Sequence, residues 1–291
     1  MGIWGDMCVF VFKRQDEIRM KLIVNADDLG YSPHRDRGIF QAFHKGIVTS
    51  ASLVVNGASS EQAVKEALSV GLEMGLHLNL TEGKPLTNVP SMVNTEGMMH
   101  YKMKFSHHPV QKEDVQRETI AQLERFKELT GSYPHHVDGH QHAHIVPKIP
   151  EIIAPILQQY GVRSTRIPDQ DLDKLGWIED DVRARYELRY LSAVNARLIY
   201  RQHDIRAPEC FVGVGLCGTQ MTPLRIKESL QGTYGTVELM VHPGHSSTGE
   251  EAGCGVHDDF DTDEGRKHEC MVLCSMDLNQ FEMTTWEKFA S

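Results

Sequence analysis

From residue 21 onward, short apolar or β-branched runs alternate with longer segments in which apolar residues recur at helical spacing. The short runs predict seven strands, over 22–26, 48–55, 72–78, 136–138, 162–167, 210–214 and 237–241. Strands that alternate with helices are typical of βα units, whose strands run parallel to one another. The pattern therefore predicts an α/β fold with a mainly parallel sheet.

The segments between the strands carry helix start and stop signals. The clearest helix is predicted over 113–130, where apolar side chains recur at helical spacing and Gly131 provides the stop. Ser32 followed by Pro33 is typical of an N-cap and a first helical turn. These signals predict where two of the helices lie.

The length of 291 residues admits two domains, but single α/β barrels also reach this size. No change of composition marks a linker within 21–291, so we predict one domain there. Residues 1–20 precede the first convincing strand. We predict that they form an N-terminal extension outside the folded unit, in a position where disorder is common.

Composition narrows the partners and the compartment. Lys and Arg number 30 against 40 Asp and Glu, a net charge of −10, which argues against a nucleic-acid partner because phosphates attract clustered positive charge. Six cysteines without a CxxC pair indicate a reducing compartment, so we expect a cytoplasmic protein, with the nucleus as the alternative. No apolar stretch is long enough to span a membrane, so we expect no membrane partner. The sequence does not determine the oligomeric state, and a homodimer is one possibility.

Two adjacent carboxylates, Asp27 and Asp28, follow the first predicted strand within the sequence NADDLG. Adjacent carboxylates repel each other, and a chain end that gathers them commonly binds a cation or transfers a proton. An Asp-rich turn that uses the permissive backbone of Gly30 explains this segment equally well. Both interpretations stay open for this segment taken alone.

Two further histidines lie on a predicted strand or directly after one. His77 lies inside the apolar strand 72–78, where a hydrogen-bonded core histidine is more common than a metal ligand. His242 directly follows the strand 237–241 and precedes Pro243 and Gly244. A buried histidine before a turn explains His242 as well as a functional role does.

The segment 135–144 (HHVDGHQHAH) holds five histidines and Asp138. Imidazole binds transition metals, and a neighbouring carboxylate can orient it through its second nitrogen, so a metal role is favoured over a solvated turn. The spacing does not say which histidine binds. Because five imidazoles cannot all reach one ion, we expect His142 to face the substrate or to support a ligand. We assign Asp138 to orienting an imidazole.

All four clusters lie at or just beyond the C-terminal ends of predicted strands. In parallel sheets and barrels these ends face one mouth, where active sites form, so residues distant in sequence converge there. Two histidines and a carboxylate would give three ligands with positions left for water and substrate. The sequence therefore predicts a catalytic metal site rather than a structural one.

Taken together, these segments resemble the YdjC-like carbohydrate deacetylases. The matching segments, which run in the order of that family, are NADDLG (25–30), IVTSASLVVN (47–56), MGLHLNL (74–80), DGHQHAH (138–144) and ELMVHPG (238–244). The resemblance implies a distorted (β/α) TIM-like barrel. It also implies a hydrolase that removes N-acetyl groups from acetylated amino sugars or chitin-type oligosaccharides with one divalent metal ion.

The resemblance further implies roles for individual residues. Asp28, His77 and His140 would be the metal ligands. Asp27 would be the general base, and His242 the general acid or the group that stabilises the oxyanion.

Alternatives remain for the identity of the metal ion and for the reaction. Histidine ligation suits zinc, whereas a mixed shell of carboxylate and water tolerates magnesium. A metal-dependent phosphoesterase on a similar barrel is the enzymatic alternative, although such enzymes usually assemble two ions from more carboxylates. A non-catalytic sugar-binding module is the alternative from another class.

Overall fold

The computed structural model describes residues 20–100, 109–246 and 263–291. The predicted N-terminal extension, apart from Met20, lies outside the described residues, so that prediction stays open. Among the helices in the described ranges, none combines the length and the apolar character that crossing a membrane requires.

Eight strands are found in this part of the chain. Their bounds are β1 Lys21–Leu29, β2 Ser50–Leu53, β3 Glu73–Leu78, β4 His136–Gly139, β5 Ser164–Thr165, β6 Cys210–Val212, β7 Thr236–Val241 and β8 Glu282–Met283. The first seven coincide with the predicted strands. β5 is shorter than predicted, and directly beyond it the Arg166 carbonyl is hydrogen-bonded to the His144 side chain at 2.9 Å rather than to a neighbouring strand. β8 has only two residues, too few for a periodic signal.

Helices pack around the sheet. Their bounds are α1 Pro33–His44, α2 Ser60–Val70, α3 Lys112–Thr130, α4 Ile149–Gln159, α5 Asp180–Gln202, α6 Pro223–Leu230, α7 Asp263–Ser275 and α8 Trp286–Ala290. The predicted signals are confirmed at two of them. The Ser32 side chain accepts from Arg35 N at the start of α1, and Gly131 ends α3 in a left-handed conformation with φ 92°.

The strands form a curled sheet in the order β5-β4-β3-β2-β1-β7-β6, and every neighbouring pair is parallel. β8 pairs with the start of β1. A parallel bridge between Ser164 and Arg206 joins β5 to the chain that leads into β6, which brings the two ends of the sheet towards each other. The predicted α/β fold with the mainly parallel sheet of a distorted TIM-like barrel is confirmed.

The two faces of the sheet differ in polarity because side chains alternate along each strand. The face that packs against the helices is apolar and includes Leu22, Val24, Leu53, Leu76, Leu78, Val137, Val237 and Leu239. The concave face is polar: Asn25 Nδ2 donates to Ser52 Oγ at 2.8 Å, and Ser52 Oγ donates to Asp138 Oδ2 at 2.7 Å. Buried polar groups require such partners, so hydrogen bonds rather than apolar packing organise the barrel interior.

A close approach between α1 and the segment after β7 fixes one side of the mouth. Gly38 of α1 lies against Gly244, and a Cβ at position 38 would collide with the Gly244 backbone. Gly244 N also donates to the Arg266 carbonyl on α7 at 3.1 Å. These contacts anchor the chain two residues beyond His242.

Candidate active site

Asp27 and Asp28 approach the same side chain although they are neighbours on β1. Asp27 Oδ2 lies 3.8 Å from His77 Nε2, and Asp28 Oδ1 lies 3.4 Å from the same atom. The pairing register shifts between Ala26 and Leu29, and Asp28 adopts a left-handed conformation with φ 70°. Aspartate tolerates this region better than most residues. The irregularity turns two carboxylates, which a regular strand would place on opposite faces, towards one site.

The structure brings Asp28, His77 and His140 together. One ligand atom from each side chain lies within 4.8 Å of the other two, and all three residues are buried. Asp28 Oδ1 is 2.8 Å from His140 Nδ1 and 3.4 Å from His77 Nε2. Tetrahedral ligands about 2.0–2.1 Å from an ion lie about 3.3 Å apart. The measured separations are therefore close to those of ligands that share one ion.

The second nitrogen of each histidine faces a carboxylate. His77 Nδ1 is 2.7 Å from Asp138 Oδ1, and His140 Nε2 is 2.6 Å from Glu82 Oε2. Tyr31 Oη donates to the other oxygen of Glu82 at 2.5 Å. A carboxylate in this position fixes the orientation and tautomer of an imidazole that binds metal. Both rings are therefore held with one nitrogen directed at Asp28.

The charges of these groups are coupled. Burial alone would lower the pKa of His77, but the carboxylates of Asp138 and Asp27 raise it to about 10. Burial likewise opposes protonation of His140, and the Asp28 carboxylate raises its pKa. The neighbouring carboxylates thus favour the protonated form of each imidazole. A divalent ion bound here would compete with protons for the nitrogens that face Asp28.

The other oxygen of Asp28 is held by two arginines. Arg35 Nη1 lies 3.1 Å and Arg266 Nη2 lies 2.8 Å from Asp28 Oδ2. Burial would raise the pKa of Asp28, but Arg35, His140 and Arg266 together hold it well below its usual value. The arginines occupy Oδ2, so Oδ1 is the oxygen that Asp28 presents to the histidines.

Asp27 is held by Arg166, which is completely buried. Arg166 donates to both Asp27 oxygens at 2.6 Å, and it also contacts Glu238 at 2.7 Å and Asp138 at 3.1 Å. Asp27, His77 and Asp138 form a second group whose atoms lie close enough to share an ion. In that group both Asp27 oxygens accept from Arg166 and both Asp138 oxygens have hydrogen-bond partners, whereas Asp28 Oδ1 has no partner of acceptable geometry. We therefore take Asp28, His77 and His140 as the candidate ligand set.

His242 reaches the site from the end of β7. Its Nε2 lies 3.7 Å from Asp27 Oδ2, and its backbone N–H donates to Glu269 Oε2 at 2.6 Å. The other Glu269 oxygen accepts from Gly218 N at 2.6 Å. Burial lowers the pKa of His242 to about 4, although the Asp27 carboxylate opposes this, so its imidazole is neutral at pH 7.

His142 belongs to neither group of residues that could share an ion. It follows His140 in a 3₁₀ turn in which Gln141 and His142 both have left-handed backbones, with φ 53° and 58°. Its ring lies edge-on to the Phe211 ring, with centroids 6.4 Å apart. The turn separates His142 from His140 and directs it towards β6.

Sequence reasoning missed most of the charged residues that support the site, namely Arg35, Glu82, Arg166, Glu238, Arg266 and Glu269. Two of them did leave a signal: Arg166 and Glu238 are charged residues inside predicted apolar strands. A charged residue in such a strand is buried only when a partner accompanies it. The other four lie on helices or in a loop, where charge is ordinary.

Comparison with known proteins points to one family. The sequence model described as YdjC-like protein matches residues 21–282. A carbohydrate deacetylase of Xenopus laevis is 38% identical over 289 residues, which cover 90% of this chain and 94% of that protein. A carbohydrate deacetylase of Homo sapiens is 39% identical over 278 residues, which cover 89% of this chain and 86% of that protein.

The fold also has a counterpart among solved structures. A crystal structure of an Enterococcus faecalis protein, named for cellobiose-phosphate cleavage, matches with a TM-score of 0.73 and 21% sequence identity. The match covers 94% of this chain and 100% of that one. At this identity the similarity supports the fold.

The two arginines on Asp28 lead to a prediction about stability. We expect Asp28→Asn to lower the free energy of unfolding by about 3–5 kcal/mol, because two buried guanidinium groups lose a charged partner. Asparagine tolerates the left-handed backbone at this position, so strain would not contribute. Urea denaturation of parent and variant, both in chelator, measures the loss without any contribution from an ion.

Asp114→Asn is the control for this prediction. Asp114 bonds to Ser91 and to the half-exposed Arg117, so its loss should cost only about 1 kcal/mol. If the two substitutions lowered the free energy of unfolding equally, pairing of Asp28 with two buried arginines would not contribute more than a surface ion pair.

Proposed function

We propose that this chain, which belongs to the YdjC-like family, is a hydrolase that removes N-acetyl groups from acetylated amino sugars or chitin-type oligosaccharides and depends on a divalent metal ion. Relatives named carbohydrate deacetylase match about nine-tenths of the chain. A relative named chitooligosaccharide deacetylase, from Escherichia fergusonii, is 38% identical over 145 residues, 48% of this chain and 57% of that protein. The observation that carries the proposal is the convergence of Asp28, His77 and His140 beside Asp27 and His242.

The donor atoms fit a divalent ion. Asp28 Oδ1 is buried and has no hydrogen-bond partner of acceptable geometry, although His140 Nδ1 lies 2.8 Å away. Such a short contact without hydrogen-bond geometry is what two ligands directed at one ion would show. Two imidazoles and one carboxylate accommodate Zn²⁺, and Mg²⁺ when water completes the shell. When bound there, the ion would polarise an acetyl carbonyl and acidify a water molecule.

Asp27 is the residue best placed to accept a proton from that water. Its Oδ2 lies between the candidate ligand set and His242, 3.8 Å from His77 Nε2 and 3.7 Å from His242 Nε2. The two hydrogen bonds from Arg166 hold the carboxylate in one orientation. After accepting the proton, Asp27 would carry the one that the leaving amine needs.

His242 is the second residue with a direct role. A neutral imidazole can donate its N–H to the oxyanion that develops when water attacks the acetyl carbon. Its low pKa, about 4, favours this role over that of a general acid, which must be protonated before the reaction. Glu269 holds the His242 backbone in place through the amide hydrogen bond.

Acetate release from chitin oligomers of graded length tests the proposal. We expect metal-replete protein to release acetate, chelation to stop it, and Zn²⁺ or Mg²⁺ to restore it. His140→Ala should lose both the ion and the activity while keeping its fold. Phosphate release from phosphate esters without acetate release would replace the proposal with the phosphoesterase. Sugar binding without turnover in metal-replete protein would replace it with the binding module.

For the proposed base, we expect Asp27→Asn to lower the rate of acetate release by about two to four orders of magnitude. The metal content should stay unchanged, because Asp27 is outside the candidate ligand set. Arg166 keeps Glu238 and Asp138 as partners in this variant, so the fold should survive. Asp169→Asn, which disrupts a different bidentate pair, with Arg197, is the matched control. Equal rates for Asp27→Asn and the control would remove Asp27 from the mechanism.

Glu82 should tune the affinity for the ion through His140. We expect Glu82→Ala to weaken metal binding by about 10- to 100-fold, the usual effect of removing a carboxylate behind a ligating histidine. Glu82→Gln keeps an acceptor for the ring N–H and should fall between parent and Glu82→Ala. Competition with a chromogenic chelator measures the affinities. An unchanged affinity in Glu82→Ala would show that Glu82 does not act through His140.

A further inference from the structure

The short last helix, α8, lies at the end of the barrel opposite the mouth. Trp286 N donates to Ser50 Oγ at 3.3 Å, and Glu287 N donates to Glu73 Oε1 at 2.6 Å. Ser50 and Glu73 are the first residues of β2 and β3. Parallel strands begin at one end of a barrel and finish at the other, where active sites form. The helix therefore places Trp286, which is completely buried, at the end far from the candidate ligand set.

The Trp286 ring stacks on the His136 ring, with centroids 4.5 Å apart and 15° between the two planes. His136 begins β4 and lies two residues before Asp138, so both side chains point to the same face of the sheet. Gly75 on the neighbouring β3 provides the space for the ring, because a Cβ at this position would lie 2.0 Å from His136 Cε1. The His136 ring can therefore cross β3 and reach β2, where Ser52 Oγ lies 3.4 Å from its Nε2.

The Ser52 hydroxyl joins the His136 ring to the candidate active site. A hydroxyl has one proton and two lone pairs. The proton of Ser52 goes to Asp138 Oδ2 at 2.7 Å, and one lone pair accepts from Asn25 Nδ2 at 2.8 Å. The second lone pair faces His136 Nε2, which must then be the nitrogen that carries the ring proton. Burial lowers the pKa of His136 to about 3, so the ring is neutral at pH 7.

Asp138 connects Ser52 to the candidate metal ligand His77. Its other oxygen, Oδ1, lies 2.7 Å from His77 Nδ1. Contacts therefore run without interruption from Trp286 through His136, Ser52 and Asp138 to His77. All five side chains are buried. Because a protein interior is close-packed, a change at one of them displaces its neighbours.

We propose that Ser52, His136 and Trp286 are positioning residues for His77, so that α8 supports the candidate ligand set from the opposite end of the barrel. This role rests on the proposed function, in which His77 binds the ion. The carboxylate behind His77 keeps its Nε2 directed at Asp28 Oδ1, which is 3.4 Å away. The three residues hold that carboxylate in place from the far side.

The Ser52 hydroxyl is the first test, on the full-length chain with Zn²⁺ alone as the probe and a chromogenic chelator as competitor. We expect Ser52→Ala to weaken Zn²⁺ binding by about threefold to tenfold, less than the usual loss when the carboxylate itself is removed. The effect is limited because Arg166 Nη2 still contacts Asp138 Oδ2 at 3.1 Å. Asn25 Nδ2 keeps Asp27 Oδ1 as a partner at 2.9 Å, so the fold should survive. Ser52→Thr keeps the hydroxyl and should restore the parental affinity.

The Trp286 ring is the second test, with the same probe. We expect Trp286→Leu to weaken Zn²⁺ binding by about threefold, because His136 loses the ring that holds it over Gly75 and its support of the ligand becomes weaker. Trp286→Phe keeps an aromatic ring against His136 and should recover most of the affinity. Phe126→Leu is the matched control, because it removes a buried ring from α3 on the apolar side of the sheet. It should lower the melting temperature without changing the affinity for Zn²⁺.

The outcomes separate this role from the proposed function. A parent that binds Zn²⁺, with Ser52→Ala and Trp286→Leu binding it equally well, would overturn the positioning role and leave the metal site intact. A loss of affinity in Phe126→Leu as large as that in Trp286→Leu would also overturn it, since general destabilisation would then explain both. A parent that binds neither Zn²⁺ nor Mg²⁺ would overturn the proposed function and this role together.

Discussion

The candidate active site depends on one buried cation. Arg166 is completely buried and holds Asp27, Asp138 and Glu238, which come from three different strands. Like charges repel strongly where water is excluded, so these acids can share the barrel interior only with a positive charge among them. Even so, burial raises the pKa of Glu238 to about 7, which shows how little further negative charge the interior would accept.

The rest of the site extends from that network. Asp138 joins it to His77, whose other nitrogen faces Asp28. Glu82 likewise faces one nitrogen of His140, whose other nitrogen faces Asp28. Because the second nitrogen of each of the two candidate ligand rings faces a carboxylate, the protein itself orients their donor atoms. This preorganisation distinguishes the cluster from a chance concentration of histidines in the sequence.

The sequence predicted the strands and the end of the sheet at which chemistry gathers, because both depend on local pattern and on the geometry of parallel strands. His77 shows the limit of local pattern: taken alone, a histidine in an apolar strand suggested a core residue, and its place among the metal ligands came only from the family resemblance. In the structure its Nε2 lies 3.4 Å from Asp28 Oδ1. Glu82 lies in a loop without periodicity, 58 residues from its partner His140. Contacts of this kind arise from tertiary packing, which no local pattern encodes.

The position of Glu82 on a loop has a thermodynamic consequence. Asn79, directly after β3, accepts from Glu82 N at 3.1 Å and donates to the Glu82 carbonyl at 2.8 Å, so the backbone that carries the carboxylate is anchored to the end of β3. A sugar that displaced this loop would change the contact between Glu82 and His140 and hence the affinity of the site for an ion. By linkage, the ion would alter the affinity for that sugar by the same factor. In the proposed enzyme, sugar binding at the mouth and ion binding beside His140 would then be coupled equilibria.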